Sequence, residues 1–197
     1  MARKNLDQVI VIDVEATCWE DEPPEGQESE IIEIGICPLA VSSMELLEKR
    51  SILVKPARSL ISAYCTELTS LVPEDVEKGV SFEEACRILK KEYRTKQRVW
   101  ASYGDYDRRQ FEKQCLSSGV AYPFGPTHIN IKNLFALALQ LPYEVGMAEA
   151  LGILDFPLVG VHHRGGDDAW NIARILAELL GRLQDDYSAI SRTKRRI

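Results

Sequence analysis

Residues 8–18 read QVIVIDVEATC, and the placement of this stretch decides the fold. Val9, Ile10, Val11 and Ile12 run without a charge into Asp13, Val14 and Glu15. A charge-free, β-branched run of this kind reads as a strand buried on both faces, as at the centre of a sheet. Side chains on a strand alternate, so Asp13 and Glu15 emerge on one side, roughly 7 Å apart along the backbone. Two carboxylates at the end of a central strand are costly to bury unpaired. They call for cations, protons or hydrogen bonds, and the rest of the chain has to supply them.

Outward from this strand, the chain of 197 residues is long enough for one domain with a full core. No apolar run approaches 18 residues, so no membrane span is expected. The N-terminus, MARKNLDQ, carries no apolar signal segment, which argues against secretion. Cys18, Cys37, Cys65, Cys86 and Cys115 are scattered and form no close pair of the zinc-binding kind. They read as reduced thiols in a cytoplasmic setting, each serving as a small buried hydrophobe. A net charge of −6 argues against coating nucleic acid with a basic surface. It leaves room for an enzyme that holds one strand end and neutralises phosphate with bound metal. The charge is uneven: residues 19–30 (WEDEPPEGQESE) are acidic and residues 192–196 (RTKRR) basic.

Residues 19–30, with Pro23, Pro24 and Gly26, read as a solvated or mobile loop. Strand patterns resume at 30–37 and 46–54, with connections too short for helices, so the first three strands form an antiparallel meander. Helical signals follow. Residues 65–71 make a short helix, and Pro73 opens the next turn. Ser81 with Glu84 has the spacing of a capping box, ahead of a helix burying Phe82, Ala85, Cys86, Ile88, Leu89 and Tyr93. Residues 99–103 form a strand, and 107–118 a helix stopped by Gly119. A short strand at 127–131 leads into helices at 132–140 and 147–152. An amphipathic helix closes the domain at 168–183. Strands followed by alternating helices and strands describe a mixed α/β sheet with helices on its faces. One domain spans 6–185, and 186–197 form a basic, loosely ordered tail.

The remaining acids fall at telling places. Asp105 and Asp107 follow the fourth strand; Asp167 and Asp168 open the last helix. Acids at helix N-termini serve as caps or favour the helix dipole, which would account for each one singly. Together with Asp13 and Glu15 they lie where an α/β sheet places its crevice. Such an oxygen-rich site suits Mg²⁺ or Mn²⁺, and two such ions support phosphodiester hydrolysis. His162 and His163 precede Asp168 across an Arg-Gly-Gly stretch read as flexible, and an imidazole there can accept a proton near neutral pH.

Three stretches in this order, VIDVEATC (11–18), SYGDYD (102–107) and HHRGGDD (162–168), resemble the motifs of the DEDDh 3′-to-5′ exonucleases of the RNase T and proofreading superfamily. The resemblance is closer to the Eri-type exoribonuclease branch, whose first motif commonly reads Asp-Phe-Glu-Ala-Thr-Cys; here Val14 replaces the Phe. CTELTSLVPEDV (65–76) and INIKNLFA (129–136) are similar to its connecting segments. The resemblance implies a ribonuclease H-like fold and two divalent ions held by Asp13, Glu15, Asp107 and Asp168, with Asp13 bridging them. The aromatic-then-acid order of the second motif selects Asp107 over Asp105. His-x4-Asp spacing selects His163 with Asp168, His162 with Asp167 being the other pair at that spacing. Helical phase agrees: Asp168 shares a face with Ile172, Ile175 and Leu179, whereas Asp167 shares one with Asn171 and Arg174 and reads as solvated.

By the same resemblance, His163 takes a proton from the attacking water, and a nucleoside 5′-monophosphate leaves the 3′ end. Ala16, Thr17 and Tyr106 match positions that line the terminal nucleotide's pocket, where an aromatic stacks on a base without choosing its sequence. Core packing for Tyr106 and backbone capping for Thr17 are the structural alternatives. Arg108, Arg109 and Arg164 offer phosphate contacts or a solvated surface. The expected partner is a single-stranded 3′ end, RNA before DNA, although no residue reads a 2′-hydroxyl. A DNA exonuclease and a silent nucleic-acid-binding scaffold are the other readings. No G-x-x-x-x-G-K-[ST] loop or G-x-S-x-G elbow points to a different enzyme class.

Overall fold

The computed structural model describes the backbone of residues 5–194 and the side chains of residues 5–184. A five-stranded sheet runs in the order β3-β2-β1-β4-β5. Its strands are β1 (Asn5–Ala16), β2 (Ile31–Ala40), β3 (Arg50–Leu53), β4 (Arg98–Ser102) and β5 (His128–Asn130). The expected meander forms: β1 pairs antiparallel with β2, and β2 antiparallel with β3. β4 and β5 extend the other side in parallel, which makes the sheet mixed and puts β1 at its centre. The third strand is shorter than its pattern suggested, because Leu46 makes only an isolated bridge to Leu39 before the chain enters β3.

The two faces of β1 bury different helices. Ile10, Ile12 and Val14 pack beneath α3 (Phe82–Glu92) and α4 (Tyr106–Ser118). Val9 and Val11 pack beneath α5 (Ile131–Ala138), α6 (Met147–Ile153) and α7 (Gly165–Lys194). Each fully buried aliphatic side chain contributes about 1.5–3 kcal/mol. Asp13 and Glu15 therefore continue an apolar row beyond the point where helices cover it. The short α1 (Ala63–Thr69) and α2 (Pro73–Val76) pack Cys65 and Val76 with Ile32 of β2 in a small separate cluster. No helix among the described residues is long and apolar enough to cross a membrane.

Local signals hold at the helix ends. Ser81 accepts the Glu84 N–H and opens α3, and Gly119 ends α4 in the left-handed region at φ 71°. The Glu84 carboxylate turns to Arg87 instead of completing a capping box. α7 begins earlier than its apolar pattern, at Gly165, and continues to Lys194 through much of the stretch read as a loose tail; residues 195–197 lie outside the described residues.

The Arg-Gly-Gly stretch is not the flexible tether its composition suggested. Gly165 and Gly166 form the first turn of α7, wedged against the sheet. A Cβ at Gly35 of β2 would sit 1.7 Å from the Gly165 carbonyl oxygen, and one at Gly166 would sit 2.4 Å from Ser51 Oγ. These glycines are needed for close approach, which seats the α7 N-terminus beside the acidic end of β1.

Candidate active site

The parallel ladder between β1 and β4 ends at Val11 and Ala101. Beyond it the Val14 N–H donates to Asp107 Oδ1 at 2.9 Å, which ties the first turn of α4 to the central strand. Asp168, in the first turn of α7, receives the His163 backbone N–H and approaches His162 Nδ1, both 2.9 Å from its Oδ2. Its other oxygen, Oδ1, is buried with no hydrogen-bond partner among the described residues. Carboxylate oxygens of Asp13, Glu15 and Asp168 lie within 4.8 Å of one another. With Asp107 they line an open cleft of about 340 Å³, shared with Ala16, Tyr106, His162 and His163.

The electrostatics follow from burial. Desolvation, with repulsion from Asp107, Glu15, Asp168 and Glu33, pushes the Asp13 pKa well up. Glu15, 8% exposed, is raised to about 8 by burial and by Asp168, Glu33 and Asp107. Burial raises Asp107 to about 6 against the pull of the Val14 N–H. Burial also raises Asp168 against the opposing pull of His162 and His163. Four acids that cannot ionise together cheaply, one with an orphaned oxygen, form an all-oxygen donor set suited to hard divalent cations. The residues fit such ions.

The two histidines stack with ring centroids 4.0 Å apart. His162 is held by its ring nitrogen on Asp168. His163, at φ 63°, meets Asp168 only through its backbone N–H, and among the described residues its ring makes no hydrogen bond. Burial, and then the neighbouring His162, lower the His163 pKa, which favours the neutral ring that can accept a proton. His162, one position outside the expected spacing, is thus brought into the cleft beside it, against Asp168 rather than Asp167.

Several expectations change here. Asp167 is not solvated: it pairs with Lys49 at 2.5 Å and accepts the Val161 N–H, while Asn171 is clamped to the Val159 backbone. Both side chains hold the loop that delivers the histidines. Thr17 does not line the cleft. Its buried hydroxyl donates to the Glu28 carbonyl and accepts the Glu30 N–H, the backbone role that was its alternative. Tyr106 is 57% exposed at the cleft edge, so it is not core. Asp105 lies outside the cleft and pairs with Arg108.

Residues 19–30 are anchored at their far end. Glu30, 4% exposed, accepts the backbone N–H groups of Ala57, Arg58 and Ser59. Cys18, Leu68, Tyr103 and Met147 also line the cleft, and sequence reasoning did not reach them as site residues. Nor did it reach Glu33, fully buried opposite Glu15 in the β1–β2 register. Glu33 holds the Arg164 guanidinium and accepts the Gly165 N–H, so Arg164 is neither a bare phosphate contact nor a solvated surface. Its one signal was a lone acid inside an otherwise apolar strand. All five cysteines are free thiols.

Comparison with known proteins shows what this chain is similar to. The family model described as Exonuclease, RNase T, matches residues 10–176. The 3′-5′ exoribonuclease 1 of Rattus norvegicus is 32% identical over 190 residues, covering 88% of this chain and 53% of the relative. The 3′-5′ exonuclease Snipper of Drosophila melanogaster is 24% identical over 202 residues, covering 91% and 72% respectively. The chain spans about half the length of the curated exoribonuclease 1 relatives it matches. Among solved structures, the nuclease domain of 3′hExo, described as a DEDDh family member bound to rAMP, superposes with a TM-score of 0.79. Its identity is 27%, over 92% of this chain and 95% of that one. A full-length 3′-exonuclease superposes with a TM-score of 0.80 at 28% identity, over 91% and 83%.

Proposed function

The chain belongs to the RNase T family of exonucleases, and from that premise we propose that it is a metal-dependent 3′-to-5′ exonuclease. Its substrate is a single-stranded RNA 3′ end, from which it releases nucleoside 5′-monophosphates. The observation that carries this reading is the meeting of Asp13, Glu15, Asp107 and Asp168 in one open cleft with a His163 ring that makes no hydrogen bond among the described residues. The catalytic domain spans residues 6–185 and contains every residue named in the mechanism. RNA is favoured because the relatives at about 30% identity are named exoribonucleases and a structural neighbour binds rAMP. The free thiols fit a reducing compartment such as the cytoplasm.

Asp13, Glu15, Asp107 and Asp168 would hold two Mg²⁺ or Mn²⁺ ions, which when bound would stabilise the charge that develops on the attacking and leaving oxygens of the scissile phosphodiester. Around them, the chain's own groups do three things. His163 Nδ1 or Nε2 takes the proton of the attacking water; a neutral imidazole is required, and burial favours that form. His162, fastened to Asp168, backs the His163 ring by stacking and fixes its plane. Tyr106 and Ala16 border the place of the terminal nucleotide, where the exposed phenol offers a stacking face. Thr17 shapes that wall from behind by holding the Glu28–Glu30 backbone.

The test is cleavage of 5′-labelled single-stranded RNA and matching DNA with Mg²⁺, Mn²⁺ or chelator. The expected result is a metal-dependent ladder shortening from the 3′ end of RNA. His163→Ala should lower kcat by about 10²–10⁴-fold, and His162→Ala by less. Faster loss of DNA would transfer the activity to DNA ends; no cleavage of either strand would remove the enzyme reading.

A further inference from the structure

Asp107 reaches the cleft from the first turn of α4, and the turn before it is held from an unexpected direction. Ser102, the last residue of β4, is fully buried, and its hydroxyl donates to the Gly104 carbonyl at 3.0 Å. His128 Nε2, on the neighbouring β5, lies 2.9 Å from the same oxygen. A hydroxyl has a single proton. With that proton on Gly104, the imidazole must be the donor, which selects the Nε2–H tautomer. The ring is held in place by Trp100, 4.3 Å away between centroids, which itself stacks on Phe124 at 4.1 Å. Gly104 adopts φ 107°, open to glycine but strained for other residues, and the chain reverses there three positions before Asp107.

We propose that Ser102 and His128 are positioning residues for Asp107: the imidazole orients the hydroxyl, and the hydroxyl pins the Gly104 turn that aims the carboxylate into the cleft. Neither side chain lines the cleft, so neither touches substrate. A further fact agrees: burial lowers the His128 pKa to about 4, so the ring stays neutral near neutral pH. Groups behind a metal ligand commonly set its orientation, and their loss costs about 10–100-fold in metal affinity or activity. The inference rests on the reading of Asp107 as a metal ligand.

The experiment is a Mn²⁺ titration of the metal-free protein, following the free-ion signal by electron paramagnetic resonance, with melting curves in chelator as a folding control. Ser102→Ala and His128→Phe should each weaken Mn²⁺ binding about tenfold while remaining folded. His128→Gln, whose amide keeps a donor near Nε2, should bind within about threefold of the parent. Parent-like affinity in Ser102→Ala and His128→Phe, with Asp107→Asn impaired, would overturn the positioning role and leave the metal site intact. A His128→Gln protein as weak as His128→Phe would also overturn it, since ring packing rather than the hydrogen bond would then be responsible. If Asp107→Asn binds Mn²⁺ like the parent, the metal-site reading fails and the inference falls with it.

Discussion

Glu30 and Glu15 are both buried acids, 4% and 8% exposed, on adjacent strands or at their edge, yet their surroundings treat them oppositely. Burial alone would raise the Glu30 pKa, but the N–H groups of Arg58, Ala57 and Ser59 outweigh it and hold the group below the usual range. Glu15 meets Asp168, Glu33 and Asp107 instead of donors and is pushed up to about 8. A buried carboxylate whose donors outweigh the cost of its burial is part of the scaffold. One surrounded by other carboxylates marks a place where the fold leaves charge to be balanced from outside. The difference distinguishes architecture from site without reference to sequence motifs.

The sharpest way to break this comparison is to neutralise one acid of the cleft. Asp13→Asn should lose about 10³-fold or more in nuclease activity, because several kcal/mol of charge stabilisation at the reacting phosphate is removed. The same variant should melt higher than the parent in chelator, since repulsion among buried acids is relieved. Activity assays beside melting curves test both halves, and a variant destabilised in chelator would contradict the electrostatic reading.

Next in size is Glu30→Gln. It leaves backbone donors without their charged acceptor and should cost about 2–3 kcal/mol in urea unfolding at pH 7, with activity per folded molecule retained. The sign with pH follows from the depressed pKa. The Glu30 contribution is present above the unfolded value near 4.5 and is lost as pH falls through the folded one.

The cleft predicts the opposite slope. Glu15 at about 8 and Asp107 at about 6 bind more protons folded than unfolded across this range. Their contribution is full below the unfolded values near 4 and is lost as pH rises through about 6 and 8. In chelator the melting temperature should therefore fall between pH 5 and pH 8.5, by ~2–4 °C per kcal/mol. Mg²⁺ at about 100 times its Kd should restore about 2.7 kcal/mol at the upper pH and much less at pH 5. Melting curves that run parallel with and without Mg²⁺ would remove the cleft acids as its ligands.

Much of this molecule is legible in its amino-acid order. A continuous charge-free, β-branched run placed β1 at the sheet's centre, and the alternation of strand side chains put Asp13 and Glu15 on one face. Helical phase turned Asp168, Ile172, Ile175 and Leu179 inward together, and all four are buried. Both are local consequences of fixed backbone periods. What periodicity could not express is who stands opposite whom. Glu33 faces Glu15 because antiparallel register puts them side by side. The Gly-Gly pair after Arg164 looks flexible as a string and is rigid in space, because β2 approaches it at Gly35 too closely for any Cβ. Asp167 reads as solvated from its helical face, until Lys49 and the 157–161 loop close over it. The sequence by itself therefore determined the main elements and the order in which they and the candidate acids come. Tertiary structure alone decided which acids lack donors, which described histidine ring is left without a hydrogen bond and what steadies Asp107, because those properties depend on distances between strands and helices far apart in the chain.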